Sequence, residues 1–399
     1  YYGNAQAMEA AEQYRKEMQE NGVNDADEEA LNEDIENSPI VLLVKQIIES
    51  GVRQRASDIH IEPLESSVRV RYRIDGALKH VMTYDIGLLA GISARIKIIG
   101  GMDIAEKRKP QDGRITIMVD RREYDVRVSI LPTVYGEKTV MRLTSKDGLT
   151  KPKSALGFGP KELKVFDGIL SNPHGIILVT GPTGSGKSTT LYTSLSELNT
   201  EDVNIITVED PVEANIDGIN QVQVNVKAEM TFAAALRSIL RQDPDIIMIG
   251  EIRDSETAQI AVQAAITGHL VVSTLHTNSA ASTVTRIIDM GIEPYVAGDA
   301  LVGVIAQRLV RRLCSYEPVG CPLCGDTGYA GRIGVYEMMP VSKELQAVIS
   351  KGATADVIEK QALKEGMLTL KMGAAQHVLN GITSISEMKK ITYETGDEY

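Results

Sequence analysis

Residues 175–188 read Gly-Ile-Ile-Leu-Val-Thr-Gly-Pro-Thr-Gly-Ser-Gly-Lys-Ser, a short apolar strand that runs straight into a glycine-rich turn. The pattern G-x4-G-K-[ST] is met by Gly181, Gly186, Lys187 and Ser188, and Thr189 opens a helical stretch. Glycines let backbone N–H groups converge on phosphate oxygens, and the N-terminus of the following helix adds partial positive charge. Lys187 is suited to reach the β and γ phosphates, and the Ser188 hydroxyl to ligate Mg²⁺. The run Gly181, Pro182, Thr183, Gly184, Ser185, Gly186, Lys187, Ser188 and Thr189 is therefore expected to bind ATP. A turn of no consequence would not come with a strand before it and a helix after it, the context the motif requires.

The chain has 399 residues, which suggests two or three domains, and its 43% hydrophobic and 24% charged residues suit a globular core. No apolar run approaches the roughly 18 residues of a membrane helix. Its start, Tyr1-Tyr2-Gly3-Asn4, shows neither an initiator Met nor a basic-then-apolar leader, so a fragment without a secretory signal is expected. Residues 1–39 hold eleven acids and two bases, −9 of the total charge of −12, which leaves −3 for the other 360 residues. A near-neutral body has no basic stripe, so no nucleic-acid partner is expected. Cys314, Cys321 and Cys324 fall within eleven residues, unlike a secreted disulfide framework, and point to a reducing compartment.

Composition and periodicity divide the chain. Residues 1–37 read as an acidic leader or linker. Residues 38–144 mix a helix after Ser38-Pro39 with strand-like alternations at 68–74, 114–119 and 124–128 and a helix over 86–99, an α+β unit with an antiparallel sheet. Residues 145–160, rich in Gly, Pro and Lys, read as a flexible linker. In 161–310, continuous apolar strands at 176–180, 205–208, 246–249 and 270–273 alternate with helical stretches, the signature of a parallel α/β sheet. A cysteine segment at 311–340 and an all-helical part at 341–399 follow.

Ligands of an open α/β sheet bind beyond the carboxyl ends of its strands. Three strands here run into polar residues at that end: Val208 into Glu209-Asp210, Ile249 into Gly250-Glu251-Ile252-Arg253-Asp254, and Thr274 into Leu275-His276-Thr277-Asn278. Breaking a phosphoanhydride needs a metal ion, positioned charges and an oriented water. Carboxylates at strand tips beside a phosphate loop suit that work better than they suit casual surface charge.

The stretches 206–213 (Ile-Thr-Val-Glu-Asp-Pro-Val-Glu), 236–254 and 267–278 (Thr-Gly-His-Leu-Val-Val-Ser-Thr-Leu-His-Thr-Asn), with the phosphate loop, resemble the four boxes of the secretion and type IV pilus ATPase superfamily. The resemblance covers 38–399. It implies a RecA-like P-loop NTPase domain preceded by a PAS-like α+β domain, with a small zinc-binding module and C-terminal helices. By matching positions it implies Glu209 as catalytic base, Glu251 as holder of Mg²⁺ and its water, and His276 as sensor of the γ-phosphate supported by His269. Arg71, Arg73 and Arg114 match the family's N-terminal arginines that reach the γ-phosphate when two domains close. Arg332 matches an arginine that approaches the nucleotide from outside the loop, and Arg237 and Arg241, four apart, are expected to brace a subunit interface or the site.

The family's assembly and secretion members carry a zinc module, L-C-x2-C followed at a distance by G-C-x2-C-x2-T-G-Y-x-G-R. Residues 320–332 supply the second half in full, whereas Leu313-Cys314-Ser315 continues directly into Tyr316-Glu317-Pro318. Cys314, Cys321 and Cys324 are thus implied as Zn²⁺ ligands, and four-coordinate zinc needs one more. A fourth cysteine on a loop absent from this chain is expected; a degenerate site is the alternative.

The stretches 136–142 and 334–340 resemble the pilus-assembly branch. The expected function is therefore a hexameric motor ATPase for type IV pilus assembly, using ATP, Mg²⁺ and Zn²⁺. It is expected to be cytoplasmic and peripheral to the inner membrane, with an inner-membrane platform protein and a cytoplasmic adaptor as partners. A type II secretion ATPase is the alternative. A nucleic-acid motor and a non-catalytic nucleotide switch are the rivals from other classes.

Overall fold

The structure, a computed structural model, describes residues 38–145 and 149–395. The expected acidic leader lies outside the described residues. The chain divides into two units after Gly148.

The first unit runs α1 (Pro39–Arg53), β1 (Ala56–Pro63), β2 (Ser67–Ile74), β3 (Ala77–Asp85), α2 (Leu89–Ile99), β4 (Gln111–Val119), β5 (Arg122–Thr133) and β6 (Gly136–Ser145). Its six strands form one sheet in the order β3-β2-β1-β6-β5-β4, with every neighbouring pair antiparallel. Side chains alternate across a strand, so one face can be apolar and the other charged. Val68, Val70 and Tyr72 of β2 join Ile59, Ile61, Val126, Val128 and Met141 under Leu43, Ile47 and Ile48 of α1 and Ile92 and Ile96 of α2. Each such buried aliphatic side chain contributes roughly 2 kcal/mol. The buried Tyr72 hydroxyl donates to the Ile47 carbonyl (2.7 Å), which pins α1 to the sheet.

The other face is held by ion pairs. Glu62 of β1 receives Arg71 at both oxygens (2.7 and 2.8 Å) and Lys138 at 3.3 Å. Burial works against its charge, but Arg71 and Lys138 outweigh burial and hold the carboxyl at about 2. Beneath α2, the Lys97 ammonium is 1% exposed, pairs with Glu137 (2.8 Å) and donates to the Glu106 carbonyl (2.8 Å).

The second unit begins with residues read from the sequence as linker. Leu156 is buried, its carbonyl accepts the Tyr336 hydroxyl (2.9 Å), and the Phe158 ring packs on Phe166 and Tyr336 (centroids 4.7 and 4.5 Å). Two apolar side chains, Leu156 and Phe158, dock this Gly/Pro-rich stretch. Then follow α3 (Pro160–Leu170), β7 (Gly175–Thr180), α4 (Lys187–Leu198), β8 (Ile205–Glu209), β9 (Asn220–Gln223), α5 (Phe232–Ile239), β10 (Ile246–Ile249), α6 (Ser255–Ile266), β11 (Leu270–Leu275), α7 (Ala280–Asp289), α8 (Pro294–Ala300), β12 (Leu301–Leu313) and β13 (Tyr329–Pro340). Helices at Lys343–Ile349, Ala355–Lys364, Leu370–Leu379 and Ile385–Thr395 close the described chain.

The seven-stranded sheet has the order β13-β12-β7-β11-β10-β8-β9 and is parallel except for the β12–β13 pair. β7 lies inside it and is buried at every position, as a doubly covered parallel strand requires. Ile177 and Val179 pack toward Leu191, Leu195 and Phe166, whereas Ile176 and Leu178 pack toward the cluster that holds α5 to α8. The cysteine segment is not a separate module over 311–340. β12 and β13 are strands of this sheet, and the cysteines occupy the connection of their hairpin.

Removing one partner of a buried pair costs about 3–5 kcal/mol, because a buried charge is left uncompensated. Lys97→Met should lower the denaturation midpoint of the first unit accordingly, and Lys97→Met combined with Glu137→Leu should recover most of the loss in urea titrations. Glu62 has a depressed pKa, so its contribution is present above the ordinary carboxylate value and disappears as pH falls toward about 2. Glu387 in the second unit, held at about 2 by Arg311 and Lys390 against burial, behaves alike. Stability followed by circular dichroism should decline between roughly pH 5 and 2, and less so in Glu62→Gln.

Candidate nucleotide site and cysteine cluster

β7 ends at Thr180, whose hydroxyl meets the Leu275 carbonyl (3.1 Å) and the Thr277 hydroxyl (2.7 Å). These bonds hold the tips of β7 and β11 side by side. The loop leaves at Gly181 with φ +148°, and a Cβ there would lie 2.5 Å from the Gln307 carbonyl oxygen. It enters α4 through Gly186 at φ +92°, where a Cβ would lie 2.8 Å from the Gln307 side-chain amide. Only glycine fits either position, because β12 passes directly behind the loop.

The first amides of α4 have no intrahelical acceptors, so they are available to an anion. Ser185 Oγ is buried and makes no hydrogen bond, an orphan polar atom inside the loop that fits a phosphate group. Lys187 Nζ donates to the carbonyls of Gly181 (2.7 Å) and Pro182 (3.2 Å). Burial, with help from the Arg308 charge and against Glu251, lowers the Lys187 ammonium to about 8. Ser188 is exposed at the helix start.

The strand tips place two carboxylates in different settings. Glu251, just after β10, pairs with Arg253 (2.5 Å) and lies 3.6 Å from His276 Nε2. It also feels the Lys187 charge, and His276 is pushed below its usual value by burial and Lys187. Lys187, Glu251 and His276 therefore form one electrostatic group. Glu209, expected as catalytic base, is 3% exposed and closed in by three donors: the Tyr192 hydroxyl, Thr207 Oγ1 (2.6 Å) and Gln221 Nε2 (3.1 Å). A carboxylate so occupied braces β8 against α4 and β9, and Glu251 is the one left open to the loop.

His269 is not part of this group. It precedes β11 next to Gly175, at the amino end of the strands, opposite the phosphate loop, with Nδ1 on the Ala264 carbonyl (2.9 Å). Arg332 lies across from Arg311, three rungs beyond the Arg308–Val335 pair. Arg237 pairs with Glu256 (2.5 Å), and Arg241 donates to the Arg237 carbonyl (2.8 Å). In the first unit, Arg71 is bound at both oxygens of Glu62 and Arg114 pairs with the buried Asp125. Arg73 is held more loosely, on the Gly76 carbonyl (2.9 Å) and 3.7 Å from Asp58.

Sequence reasoning missed Gln307 and Arg308. Both are 2% exposed, although they interrupt the apolar run of β12. Gln307 accepts from Thr190 of α4 (2.7 Å), and Arg308 donates to the Gln307 carbonyl (3.0 Å) and reaches Asn278 (3.3 Å). The signal was there: a buried guanidinium in a strand exists only where something needs it.

At the far end of β12, the sulfurs of Cys314, Cys321 and Cys324 lie within 4.8 Å of one another, with Cys314 and Cys321 3.8 Å apart. Burial raises the Cys324 thiol, but backbone hydrogen bonds from Cys321, Gly328 and Thr327 and the Cys321 thiol outweigh it and hold it at about 6. Three convergent thiols at this spacing are a donor set that fits zinc.

Residues 33–390 match the model of the family described as Type II/IV secretion system protein. The type II secretion system protein HxcR of Pseudomonas aeruginosa is 48% identical over 366 residues, covering 90% of this chain and 78% of its own. The type IV pilus assembly ATPase PilB of Myxococcus xanthus is 48% identical over 383 residues, covering 88% and 68%. Among solved structures, the pilus retraction motor PilT with bound ADP is 27% identical with a TM-score of 0.61, covering 87% and 96%. The Legionella pneumophila ATPase DotB, 23% identical, shares the fold with a TM-score of 0.71 over 88% and 95%. With its phosphate loop, strand-tip carboxylates and a match across nearly its whole length, this chain belongs to the Type II/IV secretion system protein family of ATPases.

Proposed function

We propose that the chain hydrolyses ATP and passes the work to a pilus or secretion machine of the cell envelope. The observation that carries this reading is the grouping of Lys187, Glu251 and His276 around a loop shaped for phosphate. Backbone amides of 181–188 and Lys187 would bind the β and γ phosphates. Ser188 and Glu251 would hold Mg²⁺, which supplies neutralisation of phosphate charge. Glu251 orients the attacking water, His276 reads the γ-phosphate, and Glu209 positions β8 and α4. Zinc would be held by Cys314, Cys321 and Cys324 and would stabilise the hairpin end.

The first unit is read as the family's PAS-like second N-terminal domain, delivering an arginine by domain closure. Arg73 suits that delivery best, because it gives up one carbonyl bond and a 3.7 Å ion pair, whereas Arg71 would surrender a bidentate one. Six copies around a ring, seated on an inner-membrane platform protein with a cytoplasmic adaptor, complete the motor. Among the described residues no helix is long and apolar enough to cross a membrane. Type IV pilus assembly is the preferred output, on the resemblance of 136–142 and 334–340. Type II secretion is the second reading, favoured by the 48% identity to HxcR over a larger share of that relative. Deleting the gene separates them by loss of surface pili or of secreted enzymes.

Glu251→Gln should bind ATP yet release phosphate at least about a hundredfold more slowly, the scale of a positioned acid–base group. Unchanged turnover in that variant would remove the assignment. Lys187→Ala should weaken nucleotide binding itself, read by fluorescent-nucleotide titration. A chain starting at Leu149, the second unit alone, that turned over as fast as the whole would show that domain closure has no part in hydrolysis.

A further inference from the structure

The zinc reading leaves one coordination position unassigned, and the structure bears on what fills it. Two sulfurs on one tetrahedral zinc lie about 3.8 Å apart when each Zn–S bond is about 2.3 Å. The Cys314–Cys321 separation is 3.8 Å, so these thiols stand at the spacing a shared ion demands. Among the described residues no histidine, aspartate or glutamate places a ligand atom within the triad. The two nearest acids in sequence, Glu317 and Asp326, are exposed.

The backbone closes the connection without a longer loop. Gly320 N–H returns to the Glu317 carbonyl (3.0 Å), Cys314 N–H to Gly328 (2.8 Å) and Asp326 N–H to Cys321 (2.9 Å). A Cβ on Gly328 would stand 2.1 Å from the Pro318 carbonyl oxygen, so the two limbs are in direct contact. Position 317, where C-x2-C spacing from Cys314 would put a fourth thiol, carries Glu317. The rim beside it is solvent-facing, with Tyr316 74% and Val319 92% exposed.

We propose that Cys314, Cys321 and Cys324 form a three-thiolate zinc site whose fourth position is open to water and exchangeable for a small thiol. The proposal rests on the zinc reading and deepens it. A closed four-ligand site is inert, whereas three protein ligands leave a position for an outside donor. The hairpin end is thereby a place where free thiols bind the protein. Cys314, Cys321 and Cys324 would hold the ion, and a thiol taking the remaining position would give up its proton to solvent in place of water, with no change of oxidation state.

The test uses the full chain. Elemental analysis should give one zinc per chain, and cobalt(II)-loaded protein should shift its visible d–d bands on addition of N-acetylcysteine. Glu317→Cys should abolish that shift and slow zinc transfer to a chromophoric chelator at least about tenfold, because the open position is then filled. Glu317→Gln and Asp326→Asn should leave the cobalt spectrum and its thiol response unchanged. Bound metal with a spectrum indifferent to thiol, or altered by either amide substitution, gives the fourth position to the protein. That result overturns the proposal while the zinc reading stands. Protein that binds neither zinc nor cobalt overturns both.

Discussion

The second unit depends on the close approach of β12 to the phosphate loop. Gly181 and Gly186 lie so near Gln307 that any side chain at either would collide with it. The Gln307 side chain takes the Thr190 hydroxyl from the helix that follows the loop. The loop is therefore clamped between β7, α4 and β12 before any nucleotide arrives. Preformed amides and a desolvated ammonium then meet the ligand with little reorganisation, the condition under which electrostatic stabilisation is strongest. β7 can serve as the anchor because it is buried on both faces, between β11 and β12.

Two glutamates at neighbouring strand tips show how setting divides labour between identical groups. Glu209 ends β8 and is taken up by Tyr192, Thr207 and Gln221, so its negative charge is spent inside the protein. Burial and Glu209 together push the Tyr192 phenol up, which keeps it protonated as a donor. Glu251 follows β10 by two residues, stays partly open, and shares its field with Lys187 and His276. The same sequence feature, an acid after an apolar strand, yields a strut in one place and a candidate reaction partner in the other.

β12 also ties the two chemical features of this unit together. Its middle touches the phosphate loop through Gln307 and Arg308, and its end carries Cys314. Arg311 between them is held by Glu387 (2.8 Å) of the last helix and lies 4.0 Å over the Tyr329 ring. The C-terminal helices are thus fastened to the strand that backs the nucleotide site, not merely appended to the sheet.

What the sequence determined by itself is contiguous and periodic. The loop 181–189 needs only local order to be recognised, and the apolar runs at 176–180, 246–249 and 270–273 declare buried parallel strands because both faces are covered. β1 was not legible. It carries Asp58, His60 and Glu62, and a run with that many polar residues forms a central strand only because Arg71, Arg73, Lys138 and Arg142 come from its neighbours. The same holds for β12 and β13, which the cysteine pattern obscured, and for 149–158, where turn residues masked Leu156 and Phe158. Tertiary structure alone decided which acid faces the loop, that His269 sits at the other end of the strands from it, and that Gln307 and Arg308 stand behind the glycines. The physical reason is common to these cases: charge and burial are set by residues distant in the chain, and no local pattern encodes the partner.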